Sequence, residues 1–159
     1  MGIEIERKFL VGSDGWRASA GAGQRVRQGY LTAGPGSAVR VRVAGGEAWL
    51  TVKGPTRGIA RAEFEYPIPL ADAEAMLAHL CGPSLIEKTR YVVPFGGRRW
   101  EVDVFDGANA GLVLAEVELP AADAAVELPP WAGREVSDDA RYANAALARH
   151  PYAAWRDAP

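Results

Sequence analysis

Cysteine is nearly absent from this chain. Cys81 stands alone, so no disulfide can close within it. Its neighbours Leu77 and Leu80 predict a buried, inert thiol, which suits a reducing compartment and gives a cytoplasmic expectation. Long hydrophobic runs are missing too. No stretch of about 18 apolar residues exists, which argues against a membrane-spanning helix. The N-terminus carries Glu4 and Glu6 where a secretory leader would be basic and then apolar, so it does not read as one. An excess of positive charge is lacking: the net charge is −2, which argues against a nucleic-acid surface but permits a local cationic cavity. Lysine is scarce, supplying only three of the 18 basic residues: Lys8, Lys53 and Lys88. All three fall in alternating charged segments, as if those positions needed a compact ammonium that arginine does not imitate. The two histidines, His79 and His150, lie away from those segments and are given no catalytic role.

What is present is ordinary in amount and unusual in arrangement. The 159 residues are 48% hydrophobic and 24% charged, which suits one domain over residues 1–159 with a proper core. Glu4-x-Glu6-x-Lys8 alternates with Ile3, Ile5 and Phe9. In a strand this puts charge on one face and apolar residues on the other. The layout recurs as Arg40-x-Arg42, Thr51-x-Lys53, Glu63-x-Glu65, Lys88-x-Arg90, Glu101-x-Asp103 and Glu116-x-Glu118.

Strands are expected over 3–11, 25–33, 37–44, 47–53, 59–69, 84–95, 98–106 and 112–119. Gly45-Gly46 and Gly96-Gly97 predict two-residue hairpin turns, because both turn positions need positive φ. The first turn sets Arg40 opposite Thr51, Arg42 opposite Trp49, Ala38 opposite Lys53 and Val41 opposite Leu50. The second sets Arg90 opposite Asp103, Val92 opposite Glu101 and Tyr91 opposite Val102. Both hairpins sort charge to one face. Tyr30 is expected to share a face with Gln28 and Thr32. A helix is expected over 70–81, stopped by Gly82-Pro83, after a possible helical turn near Trp16. Residues 120–131 read as a proline-rich connector. Ser137 reads as the N-cap of a second helix running to about Arg149. The fold class is therefore α+β, mainly β: an eight-stranded antiparallel barrel with a charged interior, flanking helices and a C-terminal helix.

A single charged strand face is usually solvated. Here the motifs place six basic and eight acidic groups on one face of nearly every strand. Enclosing them is costly unless they are paired or bind something. Arginine and lysine suit phosphate oxygens, and clustered carboxylates suit Mg²⁺ or Mn²⁺. Together they describe a site for a metal-bound phosphate chain.

The ordered set of motifs resembles the CYTH, or triphosphate tunnel metalloenzyme, superfamily, and the resemblance spans essentially the whole chain. Gln28-Gly29-Tyr30-Leu31 and the short length are most similar to small bacterial inorganic triphosphatases. The resemblance implies metal-dependent hydrolysis of triphosphate inside a tunnel. It implies phosphate contacts from Lys8, Arg40, Arg42, Lys53, Lys88 and Arg90, and a catalytic metal on Glu4, Glu6 and Glu118 with Glu116. A second metal near Glu63, Glu65 or Asp103 is implied as well. Lys8 would restrain a glutamate or neutralise a bridging oxygen, and Tyr30 would donate to phosphate or transfer a proton. Other readings are thiamine triphosphatase, nucleoside or RNA triphosphatase, class IV adenylate cyclase, and a non-catalytic polyphosphate-binding module. The expected partner is the small triphosphate itself, with no nucleic acid and no membrane; the oligomeric state is left open.

Overall fold

Alternating charged and aliphatic residues form β1 (Gly2–Val11), β2 (Gln24–Ala33), β3 (Ala38–Ala44), β4 (Glu47–Lys53), β5 (Ala60–Pro67), β6 (Ile86–Phe95), β7 (Arg98–Phe105), β8 (Val113–Glu118) and β9 (Ala132–Glu135). Two helices, α1 (Leu70–His79) and α2 (Asn144–Arg149), complete the regular elements. The computed structural model describes residues 2–83 and 85–157; Ser84, the first residue of the sixth expected strand, lies outside them.

Neighbouring strands run β5-β4-β3-β2-β6-β7-β8-β1, and β5 pairs again with β1, which closes an eight-stranded antiparallel barrel. Both hairpins have the register expected from their glycine turns. Arg40 faces Thr51 and Ala38 faces Lys53, while Arg90 faces Asp103 and Val92 faces Glu101. Gly45, Gly46, Gly96 and Gly97 all have φ between 59° and 78°, a region closed to most L-residues.

Four expectations are corrected. The connector ends in a ninth strand: β9 pairs with the distal half of β1, while β5 takes the proximal half of the same edge. Ser137 caps no helix. Its hydroxyl accepts from Lys8 N at 2.9 Å and donates to Glu135 Oε2 at 2.6 Å, so it joins β1 to the chain leaving β9. The terminal helix starts only at Asn144, after a 3₁₀ turn over Ala140–Tyr142 where the Asp139 side chain accepts from Arg141 N. Thr32 does not share the face of Tyr30, because a bulge after Tyr30 shifts the register and pairs Thr32 with Val39 on the outer face.

The apolar faces point outward and are covered in patches. Trp16, in a 3₁₀ turn over Gly15–Ser19, and Trp131 pack with Phe9, Val93, Trp100 and Val117 on one side of the barrel. Helix α1 lays Ala73 and Leu77 on Val41, Val43 and Ala48. Elsewhere the wall is bare, with Ile3 and Tyr66 exposed. One end of the interior is closed differently. Leu114, Phe105 and Ile86 continue the inner face of their strands, and Tyr142, Leu147 and Ala148 pack onto them. This apolar plug stops the tunnel.

Trp100 is fully buried between Phe9 and Trp131, with ring centroids 5.5 and 5.6 Å away. Trp100→Ala is expected to cost about 3–5 kcal/mol, read as a lower urea midpoint with an unchanged m-value.

Candidate active site

The inner face of the barrel encloses a polar cavity of about 220 Å³. Its side chains come from strands that are far apart in sequence and adjacent in the closed sheet. They form four groups.

On β6 and β7, Asp103 is fully buried between two cations. Arg90 donates to both of its oxygens, at 2.7 and 2.8 Å, and Lys88 Nζ lies 2.8 Å away. Burial works against the Asp103 anion, yet Lys88 and Arg90 hold its pKa below the usual range. Burial also brings Lys88 down to about 8 against the pull of Asp103. Arg90 reaches Glu101 at 3.3 Å.

On β3, β4 and β5, Arg40 donates to Thr51 Oγ1 at 3.2 Å and to Glu65 Oε2 at 3.4 Å. Arg42 has no carboxylate of its own among the described residues. Its Nε donates to Gln28 Oε1 at 3.0 Å. Burial, with Arg40 and Arg90 close by, lowers the Arg42 pKa to about 10.

At the seam of β1, β4 and β5, Lys53 Nζ sits 3.1 Å from Glu4 and 3.2 Å from Glu63. Burial opposes the Glu4 anion, but Lys53 wins and its pKa is lowered. Glu63 moves the other way, raised by burial and by the charge on Glu4. Arg61 Nε reaches Glu4 at 3.5 Å.

On β1 and β8, Glu6 faces Glu118, and Lys8 faces Glu116. Burial, then Glu116 and Glu4, pushes the Glu6 pKa well up. Burial opposes the Glu116 anion, but Lys8, Arg90 and Lys88 bring its pKa well down. Of this pair, Glu6 is the carboxylate that holds a proton more readily and Glu116 the one that stays ionised more readily. Glu118 is exposed at the rim.

Each site residue read from the sequence thus reaches one cavity, except that Lys88 and Asp103 lie behind its wall and act through Arg90. Tyr30 lines the cavity and also packs against the plug. Four contributions were not read as site residues. Arg61 and Thr51 stand two positions before Glu63 and Lys53, so the same period carries them inward. Asn144 Oδ1 accepts from Lys88 Nζ at 3.2 Å, and the Tyr142 carbonyl accepts from Lys8 Nζ at 3.2 Å. No local pattern signals these two, because the plug reaches the lysines only after the chain has folded back.

Among the described residues, no three carboxylate, histidine or cysteine groups converge as the ligands of an ion in this arrangement. The chemistry of the donor set still fits a hard cation. Glu4, Glu6, Glu116 and Glu118 are all oxygen donors on the paired strands β1 and β8. Lys53 already lies against Glu4, at the place a cation would compete for.

Residues 2–152 match the profile of the CYTH domain. The chain is 46% identical over 157 residues to an inorganic triphosphatase of Acetivibrio thermocellus, covering 99% of this chain and 100% of that one. It is 42% identical over 151 residues to an inorganic triphosphatase of Nitrosomonas europaea, covering 91% and 96%. A crystal structure of an inorganic triphosphatase aligns with a TM-score of 0.66 at 38% identity, covering 91% of this chain and 93% of that one. The matches extend through every strand that lines the cavity, and the chain belongs to the CYTH-domain family.

Proposed function

We propose that this protein hydrolyses inorganic triphosphate to pyrophosphate and phosphate with a divalent cation, Mg²⁺ or Mn²⁺. The observation that carries the reading is the partly buried Arg42 guanidinium on the cavity wall. It lies near Arg40 and Arg90, bonds no carboxylate among the described residues, and has its charge disfavoured by burial and by those neighbours. A linear polyanion would relieve that repulsion. The two relatives named inorganic triphosphatase, similar over nearly the whole chain, support the same substrate. The tunnel wall is almost wholly polar. It offers no apolar slot for a thiamine ring or an adenine, which sets thiamine triphosphatase and adenylate cyclase behind inorganic triphosphate.

Arg40, Arg42, Arg90, Lys8 and Lys53 bind and align the chain of phosphates. Asp103 positions Arg90 and Lys88 by holding both, and we assign it that part rather than a ligand's. Glu4, Glu6, Glu116 and Glu118 would hold the metal, which supplies charge neutralisation on the phosphoryl oxygens and lowers the pKa of bound water. Glu63, with its raised pKa, is the carboxylate best suited to take a proton from the attacking water, and Glu65 stands beside it as the other candidate for a second cation. Tyr30 donates to a phosphate oxygen. Water adds to a terminal phosphorus, the P–O bond to the bridging oxygen breaks, and pyrophosphate leaves. The plug closes one end of the tunnel and limits side access of water. No helix among the described residues is long and apolar enough to cross a membrane, and the single buried thiol of Cys81 supports a cytoplasmic location.

Glu6→Gln is expected to lower kcat by about 100-fold or more while triphosphate binding changes little. Arg42→Ala should raise KM and lower kcat/KM about 10- to 100-fold. Steady-state phosphate release and calorimetric binding separate the two outcomes. Undiminished turnover in Glu6→Gln would sink the metal assignment.

The proton on Glu6 also makes a stability prediction. Its folded pKa lies above the unfolded value, so it adds stability at low pH that is lost as pH rises through the raised pKa. Without metal, the melting temperature of the parent relative to Glu6→Gln should fall as pH rises from the ordinary carboxylate range through the raised Glu6 pKa. Added Mg²⁺ should reverse that fall in the parent by binding the ionised carboxylates.

A further inference from the structure

Three concave surfaces meet at Arg61, and charge distinguishes them. At the end away from the plug, the rim carries the exposed carboxylates Glu65 and Glu118 with Glu101, against Arg99. Beside β1, a cleft of about 330 Å³ sets Asp138, Asp139, Glu4 and Glu6 against Lys8 and Arg61, an acidic balance. A third cleft, of about 230 Å³, lies between α2, the β2–β3 turn and the chain after β4. Among the described residues, the ionisable ones lining it are Arg61 and Arg149. Arg61 borders this cleft, the acidic cleft and the tunnel, and no other described residue borders all three.

Arg61, like Arg42 and Lys8, is a loosely committed cation of the inner face. Lys53, Lys88, Arg40 and Arg90 each have a carboxylate within 3.4 Å. Arg61 has only the 3.5 Å approach of its Nε to Glu4, and its two terminal amino groups donate to no described residue. A highly charged phosphate chain is repelled by carboxylate-lined openings and drawn to a cationic one.

We propose that the cleft between Arg61 and Arg149 is the entrance for the phosphate chain, and that Arg61 receives its leading phosphate and passes it to the tunnel. This rests on the triphosphatase reading for its substrate. Arg149, at the exposed end of α2, acts at long range, while Arg61 makes contact. Were Glu4 to hold a metal, Arg61 would lose its one carboxylate partner among the described residues and be left to bind phosphate. The alternative part for Arg61 is to hold Glu4 alone, which would affect turnover and leave metal-free binding untouched.

The test uses the full chain and triphosphate. Arg149→Glu should lower kcat/KM about 10-fold at low ionic strength, with the gap closing as salt is added. Arg17→Glu makes the same charge change on the outer wall and should leave kcat/KM at the parent value. Arg61→Ala should weaken calorimetric binding of triphosphate to the metal-free protein about 10-fold and raise KM more than it lowers kcat, with Arg61→Lys recovering part of both. The proposal is overturned if Arg149→Glu and Arg17→Glu behave alike. It is equally overturned if Arg61→Ala binds triphosphate as tightly as the parent. If the parent binds triphosphate without hydrolysing it, the hydrolase reading fails, and the binding arm still decides the role of Arg61.

Discussion

Burying an ion without a partner costs several kcal/mol, and breaking a buried pair leaves about 3–5 kcal/mol uncompensated. The triad of Lys88, Asp103 and Arg90 shows how this barrel meets that constraint. Asp103 lies fully inside, and two cations on the neighbouring strand saturate both its oxygens. Everything functional is built outward from such pairs. The carboxylates hold the cations in position, and the cations keep enough unspent charge to need an anion.

The pairing is uneven, and the unevenness is what makes the interior a site. Arg90 is anchored by Asp103, whereas Arg42 has only the Gln28 amide oxygen. Lys53 favours the ionised form of Glu4, whereas burial and the charges of Glu116 and Glu4 disfavour that of Glu6. Arg42 is therefore short of negative charge and Glu6 of positive charge. A phosphate chain and a cation together would satisfy both.

The plug joins stability to function. Leu147 and Tyr142 stop the tunnel by apolar packing on Phe105 and Leu114. The same segment presents Asn144 to Lys88 and the Tyr142 carbonyl to Lys8. It also forms one side of the cationic cleft through Arg149. Moving the plug would change all three at once.

The inward face, the two hairpin registers and most of the site residues were legible in the chain, because a strand's period of two is local and a two-glycine turn sets the pairing across it. Arg61 and Thr51 obey that same period and needed only the extension of a motif by one step. The C-terminal region was legible in part: the Arg141-Tyr142-x-Asn144 segment marks a plug at one end of the tunnel, but its element bounds and contacts were not. Ser137 looked like a helix cap, yet its hydroxyl bonds Lys8 and Glu135, because β1 has a free stretch of edge once β5 has taken the other half. Asn144 and the Tyr142 carbonyl reach their lysines from more than 50 residues away in sequence. Such contacts depend on how the ring of strands closes, a long-range geometry that no local pattern of residue types encodes.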